Sequence, residues 1–118
     1  MAKMHKAGIK VLPFGDYGFA WIPMGTDSRD FEHFVNLMGF EPWEVLRAAT
    51  AYGGEAFMGD KMGEIKEGFL SDIIIIDGDP LADITLFQDR NNILAIMKDG
   101  QFHKPFQGRA VQEQRQVA

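Results

Sequence analysis

Four consecutive isoleucines, Ile73–Ile76, constrain the fold of this chain more than any other short stretch. β-Branched side chains favour strands. An unbroken apolar run bounded by turn-forming residues is typical of a strand buried on both faces. The turn formers Asp77–Pro80 follow directly. The sequence therefore predicts a strand over 73–76 that is buried on both of its faces.

A β-hairpin is predicted after this strand. Asp99-Gly100 is a preferred dipeptide for a type I′ turn, and the segments Ile93–Lys98 and Gln101–His103 flank it. The polar, glutamine-rich tail that follows reads as frayed or as a helix ordered by a partner. We expect one domain over residues 1–107, followed by a polar tail over 108–118.

The first predicted helix runs from about residue 28 to residue 38. Asp27 or Ser28 can cap its free N–H groups, and Asp30 places negative charge where the helix dipole favours it. Gly39 is a natural stop. Apolar residues recur at helical spacing and form one stripe: Phe31, Phe34, Val35 and Met38.

A second helix is predicted to begin with Pro42, which suits the first helical position. Its buried face is expected to contain Trp43, Leu46 and either Ala49 or Thr50. Gly53-Gly54 is expected to end it.

Asp16 follows a short apolar segment, residues 9–14, which reads as a strand that Pro13 confines to an edge or ends. The predicted fold is therefore α+β: one strand-loop-helix unit of barrel type, a second helix, and a small β-sheet with a hairpin. In barrel and doubly wound enzymes, chemistry sits at the carboxyl end of such a strand.

Composition excludes several classes of function. The chain contains no cysteine, so it has no disulfide, thiolate metal site or cysteine nucleophile. A net charge of −5 without clustered basic residues argues against nucleic-acid binding. Neither a membrane span nor a signal peptide is visible, so a cytoplasmic protein with no membrane partner is expected. Ten Phe, seven Met and two Trp in so small a domain predict a homo-oligomer.

The chain resembles the C-terminal part of metal-dependent hydrolases of the amidohydrolase superfamily, in the branch of imidazolonepropionase-like and prolidase-like enzymes. The resemblance covers residues 3–105. It is carried by four segments: HKAGIKVLPFGDYGFAW, GTDSRDFEHFVNLMGFEPWEVLRAAT, MGEIKEGFLSDIIIIDGDPLADI and LAIMKDGQFHK.

This resemblance implies the end of a TIM barrel together with part of its β-sandwich. It also implies that Asp16 binds a divalent metal, zinc in such enzymes, and takes a proton from the attacking water. The family's H-x-H pair, its mid-barrel Lys or Glu and two further His do not occur in these segments. A complete eight-stranded barrel takes about 250 residues.

Asp16 also has a plainer interpretation, as a turn residue that binds nothing. His33 is either a half-exposed helical histidine or a general base, and Ser28 is either a helix cap or a nucleophile. A serine hydrolase would combine Ser28 and His33 with Asp16 or Asp30. No G-x-S-x-G elbow and no P-loop occurs.

The aromatic group Tyr17, Phe19 and Trp21 either lines a substrate pocket or covers exposed core. The favoured hypothesis is a hydrolase that cleaves a small ester or amide bond with an activated water or hydroxyl. The alternative is a catalytically silent fragment or an oligomeric interaction module.

Overall fold

The computed structural model describes residues 1–58 and 61–106, so the predicted tail lies outside the described residues. The helices are α1 (Ala2–Lys6), α2 (Arg29–Met38), α3 (Pro42–Arg47) and α4 (Gly53–Met58), with a π-helical segment, Ala48–Tyr52, between α3 and α4. The strands are β1 (Ile73–Ile76), β2 (Ile93–Lys98) and β3 (Gln101–Lys104); two short 3₁₀ helices, Ile84–Gln88 and Arg90–Asn92, precede β2. The mixture of helices with one small antiparallel sheet confirms the α+β class.

Helix α2 forms where the sequence predicts it. Its first residue follows Ser28, and it ends at Gly39, whose φ of 72° is favourable only for glycine. Phe31 and Phe34 are buried on its inner face, with Val35 and Met38 packed beside them. The apolar stripe is confirmed.

The core lies between α2, α3 and the 3₁₀ helix at Ile84–Gln88. Its buried members are Val11, Phe31, Phe34, Phe40, Val45 and Ile84. The prediction for the buried face of the second helix is only partly correct. Trp43 is 52% exposed and Thr50 is exposed, whereas Leu46 and Ala49 are partly buried and pack against the core. Val45 and Ala48 are buried instead. These smaller side chains let α3 approach α2 closely, which a tryptophan in so small an interior would prevent.

The strand predicted over residues 9–14 does not form, although Val11 and Pro13 are buried. A strand requires a hydrogen-bonded neighbour, and no strand in the described ranges pairs with this segment. The sequence prediction was wrong here because apolar and β-branched residues favour a strand only where a sheet receives them.

The sheet has the order β1–β2–β3, and both pairings are antiparallel. β1 has its predicted bounds, but its predicted burial on both faces is wrong, since Ile74 and Ile75 are 55% and 40% exposed. In the part of the chain that the structure describes, β1 is an edge strand of a single three-stranded sheet, and no second sheet covers it. The hairpin is confirmed: Asp99 and Gly100 both have positive φ, as a type I′ turn requires.

Gly53-Gly54 does not end the second helical segment, because helix continues through both residues to Met58. Gly53 has helical dihedral angles, φ −62° and ψ −45°. Gly54 allows another part of the backbone to approach: a Cβ atom there would lie 2.2 Å from the Met62 carbonyl oxygen. The prediction was wrong because the glycine serves a tertiary contact and not a helix stop. Within residues 1–58 and 61–106, no helix has the length and apolar character needed to cross a bilayer.

Candidate functional site

A surface groove of about 420 Å³ brings together most of the residues that the sequence singles out. The loop over residues 15–23 forms one wall, and the start of α2 forms the other. Asp16, Tyr17 and Trp21 line the groove from the loop, and His33 lines it from α2. Ser28 and Phe19 are not among its lining residues. Side chains of different chemical types that are close in the chain therefore line the same groove.

The loop is shaped by a tight turn near its middle. Gly18 has a φ of 110°, and its N–H donates to the carbonyl oxygen of Ile22 at 2.9 Å. The Ile22 N–H donates in turn to the carbonyl oxygen of Phe19 at 3.0 Å. This turn brings the rings of Phe19 and Trp21 into a stacked arrangement, with centroids 5.5 Å apart and an interplanar angle of 11°. Phe19 therefore supports Trp21, whose side chain remains 79% exposed at the groove.

Asp16 is exposed, and its carboxylate has no hydrogen bond or ion pair among the described residues. The other acid that lines the groove, Asp30, does have partners. A carboxylate without a partner is able to accept a proton from water or to bind a cation. The groove therefore contains one uncommitted acid.

His33 and Ser28 are not joined in a nucleophile–base pair. The His33 Nδ1 atom lies 3.9 Å from Asp30 Oδ1, which is ion-pair range but too long for a hydrogen bond. Ser28 occupies the N-cap position of α2, yet its hydroxyl makes no capping hydrogen bond. The serine-hydrolase arrangement stays a prediction with no contact in the described residues to support it.

Asp30 is the most connected acid of the groove, whereas the sequence suggested for it a favourable place in the helix dipole and a possible part in a serine-hydrolase arrangement. Its Oδ2 atom accepts the backbone N–H of Phe14 at 2.9 Å, and its negative charge acts on the side chain of Tyr17, whose pKa it helps to raise. His33 approaches from the other side. No spacing in the sequence indicates that residue 30 meets residue 14, because the contact spans a loop without regular structure.

The pKa of Tyr17 is higher than that of an ordinary tyrosine. Burial raises the pKa of Tyr17 from 10.0 to about 12, and the hydrogen bond to Asp30 and the negative charges of Asp30 and Asp27 add to this effect. The positive charge of Arg29 acts in the opposite direction. The folded protein therefore holds the phenol proton more tightly than the unfolded chain does.

We expect Asp30→Asn to lower the pKa of Tyr17 toward 10, because the substitution removes the nearest negative charge. Absorbance of the ionised phenol during a pH titration measures this, and a Tyr52→Phe background leaves Tyr17 as the one tyrosine that titrates. Tyr17 also stabilises the fold below about pH 10, and this contribution is lost as the pH rises toward 12. An unchanged titration in Asp30→Asn would contradict the assigned contact.

The described residues do not supply a complete set of ligands for a divalent metal. No group of three or more His, Cys, Asp or Glu side chains that could hold a metal ion occurs in residues 1–58 and 61–106. Asp16 can supply one oxygen ligand, whereas protein zinc sites use at least three protein ligands. The described residues therefore supply one ligand of a metal site, Asp16, and not the complete set.

Comparison with known proteins places these features in a family. A sequence model of the amidohydrolase family matches residues 1–102. Ochratoxinase from Aspergillus niger is 29% identical over 104 residues, which are 84% of this chain and 20% of that protein. The crystal structure of A. niger ochratoxinase gives a TM-score of 0.78 at 27% identity and covers 87% of this chain and 23% of that one.

A second solved structure, a Xaa-Pro dipeptidase with methionine bound in its active site, gives a TM-score of 0.73 at 28% identity. It covers 87% of this chain and 24% of that one. The chain thus spans about a fifth to a quarter of the length of the relatives that it matches.

Proposed function

The chain belongs to the amidohydrolase family, and from that membership we propose that its groove takes part in the hydrolysis of a small amide or ester bond. The observation that carries the proposal is the uncommitted carboxylate of Asp16 in a groove lined by aromatic and basic side chains. A dipeptidase and a hydrolase among the structural neighbours support hydrolysis as the type of reaction.

The proposed reaction uses an activated water. Water attacks the carbonyl carbon of the substrate while the Asp16 carboxylate takes its proton, as a general base does. Arg29 lines the same groove and offers a guanidinium to the oxygen on which negative charge develops. His33, which lines the same groove, is the proposed general acid that gives a proton to the departing nitrogen or oxygen. Trp21 and Tyr17 offer apolar surface to the substrate.

A divalent metal is expected from the family, and Asp16 is the residue we propose as its ligand. The other ligands would have to come from outside the described residues, because these do not complete a site. The proposed reaction therefore uses side chains of the described residues alone. Zinc stays a prediction from the resemblance.

The position of the chain within the larger fold is also part of the proposal. We assign residues 9–58 to the last strand-and-helix unit of a TIM barrel, and β1–β3 to the β-sandwich beside it. The aligned part of this chain makes up only 20–23% of those proteins, which leaves room for the remaining barrel in them. The failure of residues 9–14 to form a strand is consistent with an edge that lacks its barrel neighbours.

A catalytically silent, oligomeric interaction module remains the second candidate, and exposed apolar side chains favour it. Trp21, Met24, Phe57 and Ile65 are each more than three-quarters exposed. Monomeric proteins seldom leave large apolar patches bare. Self-association of the chain stays a prediction. A measurement of the molecular mass of the chain in solution tests it.

The test of the hydrolase proposal is Asp16→Asn, assayed with a chromogenic ester and the matching anilide. We expect turnover to fall by about a hundredfold or more, because asparagine cannot accept the proton. Asp77→Asn is the matched control: it makes the same chemical change at an exposed aspartate after β1, outside the groove. We expect its turnover to equal that of the unmodified chain.

Circular dichroism spectra of both variants establish that the fold is retained. Equal turnover in Asp16→Asn and Asp77→Asn would remove Asp16 from the mechanism. Turnover no greater than that of buffer in the unmodified chain would contradict the hydrolase proposal for this chain and favour the silent module.

A further inference from the structure

Phe14, two residues before Asp16, has an unusual backbone conformation. Its φ of 77° lies in the left-handed region, which large side chains rarely adopt. Among the described residues other than glycine, Asp99 is the one other residue with positive φ, and it lies in a hairpin turn that demands it. Phe14 has no such turn to account for its conformation, so neighbouring structure must hold it.

Helix α2 holds Phe14 at two points. The Asp30 carboxylate accepts the Phe14 N–H at 2.9 Å, and the Phe14 ring packs against Phe31 with centroids 5.4 Å apart. A hydrogen bond to an ionised acceptor is stronger than a neutral one. Asp30 is itself largely enclosed, because its side chain is only 23% exposed. Helix α2 thus clamps the loop two residues before Asp16.

We propose that Asp30 is a positioning residue, which fixes the backbone of residues 14–16 and thereby directs Asp16 into the groove. The side chain of Asp30 reaches the amide two residues before Asp16, and the neighbouring Phe31 packs against the ring of that same residue. The consequence for turnover rests on the proposed hydrolase function. The backbone clamp itself does not.

A purely structural role for Asp30 makes different predictions. Asp30 lies in the first turn of α2, where any acid stabilises the helix through its dipole. Asp27 lies just before the same helix and carries the same charge, but it does not contact the Phe14 amide. Asp27→Ala therefore removes one negative charge at this helix end and leaves the clamp in place.

Hydrogen exchange of the Phe14 amide, measured by NMR on the full chain, tests the clamp. We expect Asp30→Ala to speed this exchange by about tenfold or more, because the amide loses a charged acceptor. Asp30→Asn keeps an acceptor oxygen and should retain most of the protection. Asp27→Ala should leave the Phe14 amide unchanged. Equal exchange in Asp30→Ala and the unmodified chain, or equal loss in Asp27→Ala, would overturn the proposal.

Turnover of the chromogenic ester supplies the second readout. Asp30→Ala should lower kcat and leave KM nearly unchanged, since it displaces the base and not the substrate, and Asp30→Asn should restore much of kcat. Selective loss of Phe14 protection in a chain without turnover would support the clamp and reject the hydrolase proposal. Intact turnover in Asp30→Ala together with rapid exchange would show that the position of Asp16 does not limit the reaction, and would overturn the positioning role.

Discussion

Phe34→Ala is expected to lower the free energy of unfolding by about 3–5 kcal/mol, which is a large part of the stability of a small domain. Phe34 is only 4% exposed on the inner face of α2. Its ring packs against Phe40 with centroids 5.0 Å apart and belongs to the one cluster that joins α2, α3 and the 3₁₀ helix at Ile84–Gln88. Truncation leaves a cavity where these three elements meet.

Leu37→Ala is the matched control, because Leu37 belongs to the same helix but its side chain is 75% exposed. We expect it to change the free energy of unfolding by less than about 0.5 kcal/mol. Urea titrations followed by circular dichroism measure both variants. Similar losses in the two would mean that α2 is not packed through its Phe31–Phe34 face.

Gly54→Ala is expected to destabilise the fold by about 2–3 kcal/mol, although alanine is the better helix former by about 1 kcal/mol. A Cβ atom at Gly54 would lie 2.2 Å from the carbonyl oxygen and 2.7 Å from the carbonyl carbon of Met62. Both are backbone atoms, so no side-chain rotation relieves the overlap. The chain after α4 would have to move away from the helix.

Gly53→Ala makes the same chemical change one residue earlier and should have the opposite sign. Its nearest neighbour would be the Ala48 carbonyl oxygen at 3.6 Å, an ordinary contact, and its backbone is already helical. We expect a gain of about 0.5–1 kcal/mol in the free energy of unfolding. Stabilisation by both variants would show that residues 62–63 do not approach α4 as closely as the structure has them.

The local elements were predictable because their signals act over a few residues. α2 follows from its apolar stripe and Gly39, and the hairpin follows from Asp99-Gly100. The range of β1 follows from its four isoleucines, although its exposure does not. The number of layers that cover a strand is a property of the whole fold, and composition does not encode it.

The candidate site was predictable in part. The sequence places Asp16 in a loop before a helix, and the structure puts it in one groove with Tyr17, Trp21 and His33. Sequence reasoning missed the part that Asp30 plays. Its hydrogen bond to Phe14 joins residues 16 positions apart, and no periodic pattern connects them.

The sequence by itself determined the family, the helix over Arg29–Met38, the hairpin and the acid that the groove presents. These depend on residue type and short-range spacing, which the chain carries in any environment. The tertiary structure alone decided that residues 9–14 form no strand, that helix continues through Gly53-Gly54, and that Asp30 holds Phe14. Each of these depends on which distant backbone atom lies nearby, since hydrogen bonds and steric overlap act only at contact distance.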